Sequence, residues 1–352
     1  CAHESSLIVA EPPAESGNGW FQFSAKSAAL AKDYEFPTRR LQLTTMPFAK
    51  NDEIVIYAGT RTAAYLDEHD MNDPQGWPPN ERAYIFRRKV ADVVGSEIVL
   101  DVPTRYRLKR TDGVRVLGIA AGHEGLRELG VEQLSIGMVR HPADWDTSGC
   151  VNSDPKVCQD ERVGGAGTAF KFPVIREIYD QRMIDLANVA DSYVYDLSTY
   201  RPTENGTLAS FSRGGRNWTY PIEFLNSAIY MKHGRFVTVD KIRVQGSQVD
   251  RGNHNGYALW MFETNEVLFQ NGNLKQVKKG FAFNNGGTSG NVVKDMVFED
   301  ILDYENDFHS YLSMANLLDN NTLDGTYWEA AVRPLSTTRH GHGTTETVFW
   351  NT

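Results

Sequence analysis

Short apolar bursts, each bounded by Asn, Gly or Asp, recur along the second half of the chain, and few stretches hold a helical period for three turns. Residues 226–248 (NSAIYMKHGRFVTVDKIRVQGSQ), 255–276 (NGYALWMFETNEVLFQNGNLKQ) and 279–300 (KGFAFNNGGTSGNVVKDMVFED) share one plan: apolar strand, polar turn, second apolar strand, second turn. Their apolar pairs, Ile229 with Val237, Leu259 with Val267 and Phe281 with Val292, recur within the ~20–50-residue period of stacked repeats. Stacking would bury one row of side chains against the next coil. Asn265, Asn271, Asn273, Asn284, Asn285 and Asn291 fall in the predicted turns, where Asn tolerates left-handed backbone and pairs with its equivalent one coil away.

This pattern predicts an all-β chain built as a right-handed parallel β-helix over residues 126–352. A β-sandwich is the rival, but the modules repeat in one direction with varying turn lengths, and two-residue Asn-Gly hairpin signals are sparse. Residues 176–202 read as one or two further coils, although the alternation of Ile184, Leu186 and Val189, then Tyr193, Tyr195 and Leu197, is ambiguous with a helix. Upstream, 52–61 and 82–110 alternate through Ile54, Ile56, Ile98 and Leu100, which predicts a small antiparallel β-module, or the first coils, across 26–125. A polar Pro/Gly loop fills 67–81, and 1–25 reads as a flexible tether.

The formal net charge of −9 and pI near 5.5 count against a nucleic-acid partner, since such proteins gather a basic face. No apolar run is long enough to cross a membrane as a helix. Membrane association is expected only through a lipid on Cys1, which opens the chain before a polar stretch as in a processed bacterial lipoprotein; the other reading of Cys1 is an arbitrary fragment boundary. Either a disulfide or two free thiols fit Cys150 and Cys158 in the loop SGCVNSDPKVC, and the disulfide implies an oxidising compartment. The expected protein is therefore a monomer that is secreted, periplasmic or held at the cell surface.

Candidate chemistry gathers in the C-terminal third: Arg251 and His254, Asp307 and His309, Glu329 and Arg333, then Arg339, His340, His342 and Glu346. Stacked coils would bring these onto one long face suited to an extended sugar chain. For β-elimination, His254 or His309 would remove the proton while Arg251, Arg333 or Arg339 neutralised the substrate carboxylate; Arg suits this because its planar fork pairs with carboxylate or sulfate. Hydrolysis would instead take two carboxyl groups from Asp303, Glu305, Asp307, Glu329 and Glu346. Tyr327 and Trp328 are the aromatics expected to stack on sugar. No cofactor is required; the acidic run 298–309 leaves room for Ca2+, whereas His340 and His342 lack a third ligand for zinc.

The segments HGRFVTVDKIRVQGS, DRGNHNGYALWMF, FEDILDYENDFHSYLSMANLLDNN and RHGHGTTETVFWN resemble the pectate-lyase-like parallel β-helix superfamily over about residues 110–352. That resemblance implies cleavage or remodelling of an acidic or sulfated polysaccharide, with β-elimination slightly ahead of hydrolysis by a carboxylate pair. GHG at 341–343 is similar to the histidine motif of polygalacturonase-type hydrolases, but their Asn-Thr-Asp, Asp-Asp and Arg-Ile-Lys motifs do not occur here, nor does the Arg-x-Pro-x-x-Arg element of pectate lyases. A non-catalytic glycan-binding or adhesive solenoid is the alternative of another class. No capping segment follows the strand-like ending TETVFWNT, so the chain is expected to continue past Thr352.

Overall fold

The computed structural model describes residues 6–10, 21–58, 62–69, 83–137, 182–200, 209–213, 216–220, 227–247, 256–302, 305–333 and 341–352. Seven strands stack in chain order into one parallel sheet: Ser6–Ala10, Arg182–Ala187, Ser227–Lys232, Tyr257–Phe262, Lys279–Asn284, Glu305–Ser310 and Tyr327–Glu329. Alternation along each strand sends every second side chain inward. Ile184, Ile229, Leu259 and Phe281 stand in register and are fully buried, each worth about 1.5–3 kcal/mol relative to exposure.

A second parallel sheet closes the coils. It begins with Leu126–Arg127 and Gly130–Ile136 on Val189–Thr199, continues through Arg235–Gln245, and then divides into successive pairs of three-residue strands such as Leu268–Gln270 with Asn273–Lys275. The division falls where each coil places one residue in the left-handed region: Asp196, Lys241, Asn271, Asp295 and Asn320, with φ between 52° and 55°. Asp and Asn bear that conformation at low cost, and their side chains form an outer ladder. Asn271 Nδ2 donates to Asp240 Oδ1 at 2.8 Å, and Asn320 Nδ2 donates to Asp295 Oδ1 at 2.7 Å.

The parallel β-helix read from the sequence is therefore the fold, and 182–199 forms strands, not a helix. Of the asparagines predicted in turns, Asn273 and Asn284 lie in strands, and the others divide into two kinds. Asn271 and Asn285 have positive φ, whereas Asn265 and Asn291 are buried inside the coils. Asn291 Oδ1 accepts from Val267 N, 24 residues back, and Asn291 N donates to Asn316 Oδ1, 25 residues on, so the inner ladder has the period of one coil.

The tether expected over 1–25 gives way at Ser6–Ala10, which pairs with Arg182–Ala187 and lays Ile8 on the core. The apolar run SLIVA can form a strand, and the exposed sheet edge supplies its hydrogen bonds. The pair Ala209–Arg213 and Arg216–Tyr220 is an antiparallel ribbon, so Trp218 and Tyr220 belong to no coil strand.

The N-terminal sheet is antiparallel, in the order Phe23–Ala29, Val114–Ile119, Glu53–Ala58, Tyr84–Val94, Glu97–Leu100 and Arg40–Gln42. Ile54, Ile56, Ile98 and Leu100 are fully buried in its core, and Leu312 and Met314 of the solenoid join them. Charge completes the docking: Arg88, itself fully buried, meets Glu266 at 3.0 Å, and Arg87 N donates to Asn265 Oδ1 at 2.7 Å. At Gly287, with φ +116°, a Cβ would lie 2.7 Å from the backbone N and O of Ile85, so only glycine lets the two parts approach this closely.

Candidate functional site

The Glu305–Ser310 strand reads ENDFHS, and alternation divides it cleanly. Phe308 points inward, its ring 5.7 Å from Phe281 and 5.4 Å from Phe283. Asn306 also points inward and is fully buried, a polar residue in an apolar row. It accepts from Gly280 N at 3.0 Å and donates to Thr326 Oγ1 at 3.1 Å and to Tyr327 O at 3.4 Å, which ties three successive coils together. Glu305, Asp307 and His309 are left on the outer face.

There, Asp307 is fully buried and its Oδ2 accepts from Lys279 Nζ at 2.7 Å and from His309 Nδ1 at 2.5 Å. Lys279 also pairs with Glu305. Burial pulls the Lys279 ammonium down, but Asp307, Tyr257 and Glu305 outweigh it and hold the pKa above the usual lysine range. Register sets Glu329 beside Asp307 and Tyr327 beside Glu305. One oxygen from each of Glu305, Asp307 and Glu329 lies within 4.8 Å of the other two.

Exposure separates these groups into a floor and a rim. Asp307 and Lys279 are covered, while the side chains of Glu305 and His309 are 21% and 17% exposed and Tyr327 is 49% exposed. The pairing register shifts between Phe283 and Asn284, opposite the stretch that carries His309. Such bulges re-aim side chains and are frequent beside active sites. With Nδ1 donating to a carboxylate, Nε2 of neutral His309 is the acceptor nitrogen.

The outer row continues away from Asp307 through Ala282, Trp260, Tyr230 and Asp185. Tyr230 and Trp260 are only 8% and 7% exposed, and Arg182 lies 3.7 Å from the Tyr230 ring centroid. These rings pack edge to face, 5.1 Å apart, as a closed aromatic cluster.

No protein-family model matches the chain, and no curated protein matches it. Solved phage tailspikes resemble it distantly. The gp54 tailspike of Acinetobacter baumannii bacteriophage AP22, in complex with A. baumannii capsular saccharide, aligns over 85% of this chain and 45% of its own at 9% identity and a TM-score of 0.37. Tailspike gp49 of Pseudomonas phage LKA1 aligns over 85% and 46% at 11% identity and 0.34, and tailspike gp61 of Pseudomonas phage phi297 over 87% and 58% at 11% and 0.29. The chain spans about half the length of the tailspikes it matches. At so low a TM-score the likeness carries no argument about chemistry, which rests on this chain's own geometry.

Of the residues picked from sequence, Glu305, Asp307, His309, Glu329 and Tyr327 come together. Trp328 does not join them: it packs into the solenoid, 5.1 Å from Phe281 and 4.8 Å from Phe298, because its strand position alternates inward. His342 pairs in an antiparallel bridge with Val332 and lies within electrostatic range of His69 in the N-terminal part. Arg333 stands opposite Gly341 in the same ribbon, its side chain outside the described residues. Arg251, His254, Arg339 and His340 lie outside the described residues, as do Cys1, Cys150 and Cys158. Sequence reasoning missed Lys279 and Asn306. A Lys opening the strand KGFAFN was the available signal for the first.

The carboxylate trio has the donor chemistry of a hard-cation site, with two of its members in the run 298–309 that left room for Ca2+. The Lys279 ammonium already sits between Glu305 and Asp307, which opposes a divalent ion there.

Proposed function

We propose that this face hydrolyses a glycosidic bond with Glu305 and Glu329. The carrying observation is the close set of carboxylates around one buried ammonium. Glu305, paired with Lys279, acts as nucleophile; Glu329, in the next coil, donates the proton to the leaving oxygen. Oxygens within 4.8 Å suit the roughly 5–5.5 Å spacing of retaining hydrolases better than the roughly 6.5–9.5 Å of inverting ones. Asp307, buried below, fixes Lys279 and His309, and the exposed Tyr327 ring offers a platform for the sugar.

The charge also bears on substrate. Among the described residues the cluster holds three carboxylates and the Lys279 ammonium, a set compatible with a neutral or amino sugar at the point of cleavage. One observation favours elimination as a second reading: the Asp307–His309 hydrogen bond, which orients an imidazole base.

Incubating the protein with neutral, amino and uronic polysaccharides tests both. Hydrolysis yields new reducing ends without ultraviolet-absorbing unsaturated ends, and Glu305→Gln or Glu329→Gln lowers the rate about 10²–10⁴-fold. Unsaturated ends that vanish in His309→Ala would replace hydrolysis with elimination, and undiminished cleavage in both Gln variants would remove these residues from the chemistry.

A further inference from the structure

A separate cleft of about 500 Å³ opens where the N-terminal sheet meets the first solenoid strand. Its size falls in the range of small-ligand sites, and junctions between folded parts are where such sites concentrate. Arg127 pairs with the first coil through Ala190, whereas Asp307 lies four strands along from that coil, roughly 20 Å away at about 4.8 Å per strand. The cleft is thus distinct from the carboxylate face.

Its charges are unequally engaged. Asp52 Oδ2 takes Lys26 Nζ at 2.6 Å and Ala49 N at 2.9 Å, and Glu124 Oε2 takes Gly122 N at 2.8 Å. Arg127 is anchored by Glu53 at 2.6 Å and by Asp191, which leaves further N–H groups of its guanidinium. Lys26, Lys89 and Arg127 balance Asp52, Glu53 and Glu124 in formal charge, and Lys89 is the cation of the lining left without an ion-pair partner among the described residues. Around it stand hydrogen-bonding groups, with Asn51 at a left-handed turn of φ 74°, and an apolar floor of Gly118, Ile119 and Ala121.

We propose that this cleft binds one acidic monosaccharide unit, its carboxylate on Lys89, its hydroxyls on Asn51 and Arg127, and its C–H face on the Gly118–Ile119 floor. A neutral sugar leaves Lys89 unmatched, and a bare carboxylate leaves the floor and the hydrogen-bonding rim unused. The site stands independently of the hydrolysis assigned to the distant face.

Calorimetric titration of the full chain with glucuronate, glucose and acetate tests it. Glucuronate binds saturably, and glucose and acetate bind at least about tenfold more weakly, since a charge-assisted hydrogen bond is worth a factor of about ten to a hundred. Lys89→Gln weakens glucuronate by at least about tenfold, Lys89→Arg retains binding, and Asn51→Gly, which keeps the turn, weakens it about threefold. Glu305→Gln leaves all these affinities unchanged. Equal affinity for glucose, equal affinity for acetate, indifference to Lys89→Gln in a variant of unaltered circular dichroism, or no saturable binding of glucuronate would each overturn the proposal.

Discussion

Replacing Asn306 by Ala tests how the outer carboxylates are held. The amide makes two well-formed hydrogen bonds, at 3.0 and 3.1 Å, and a longer one at 3.4 Å, all in a residue with no exposure. Ala leaves the buried Gly280 N–H without its acceptor, a penalty of about 1–3 kcal/mol, and forfeits about 1 kcal/mol for the remaining bonds. A total near 3 kcal/mol is the expectation. At about 2.1 cal/mol/K per residue, the 352-residue chain unfolding as one unit has an entropy of about 0.7 kcal/mol/K, so Tm falls by about 4 °C, and by more if the solenoid unfolds alone. Asn306→Asp is the sharper variant. It retains the acceptor, loses the donors and places a carboxylate below Asp307, so burial raises its folded pKa. A raised carboxyl pKa means stability is fullest in acid and is lost as pH climbs, so this variant recovers towards wild type as pH falls. Scanning calorimetry from pH 4 to 8 reads both effects. An Ala variant within 1 °C of wild type would refute the clamp.

Three further outcomes follow from the same geometry. Asp112 is buried with Oδ1 lacking a hydrogen bond; burial, and then Glu68, push its carboxyl from 3.8 up to about 6. Its contribution is whole below pH 3.8 and drains away as pH rises to about 6, so Asp112→Asn flattens the fall of Tm across that window, and parallel curves would contradict it. Gly287→Ala costs at least about 2 kcal/mol in urea unfolding, through left-handed strain and collision with the Ile85 backbone. Trp328→Ala lowers stability by about 3 kcal/mol and leaves glycan affinity intact, whereas Tyr327→Ala weakens glycan binding and shifts stability by no more than about 0.5 kcal/mol. Reversed behaviour of that pair would show that the inward and outward faces have been misassigned.

The coil was legible because its repeat is local. Ile229, Leu259 and Phe281 each sit in a short apolar strand, and the pattern that marks them as buried lies within a few residues of each. What joins one coil to the next is not local. Lys279 meets Asp307 across 28 residues, and nothing near Lys279 in sequence names its partner. The strand Ser6–Ala10 carries the same lesson, since its partner Arg182–Ala187 is remote in the chain and the polar surroundings suggested a tether.

Asparagine was read as a turn residue able to pair with its equivalent one coil away; the turn placement is right for Asn271 and Asn285, whereas Asn265 and Asn291 are buried inside the coils and Asn306 went unread. Inside the coils the amide has a different role. One group both donates and accepts, so it can satisfy an N–H and a C=O of the preceding coil at once, as Asn291 does with Val267 N and Thr264 O and Asn316 with Asn291 N and Thr288 O. Composition cannot distinguish the two uses. Trp328 was misplaced for a related reason. A neighbourhood of turn residues suggested exposure, but parity in the strand decides direction, and parity runs from Tyr327 outward to Trp328 inward.

Register therefore ties stability to chemistry in this fold. A slip of one residue in Glu305–Ser310 would turn Asn306 and Phe308 to solvent and drive Glu305, Asp307 and His309 into the core, exchanging every favourable position for an unfavourable one. Two inward residues oppose the slip: Phe308, packed against Phe281 and Phe283, and Asn306, hydrogen-bonded to the coils on either side. The shift opposite Asn284 is confined to the strand's end, after both anchors, so it re-aims His309 without moving Asp307. An anchor variant must then lose stability and site geometry together, while a rim variant such as Glu305→Gln tests the proposed hydrolysis on an intact scaffold. That difference makes the function testable before the substrate is identified, because folding and cleavage can be read in separate experiments on separate residues.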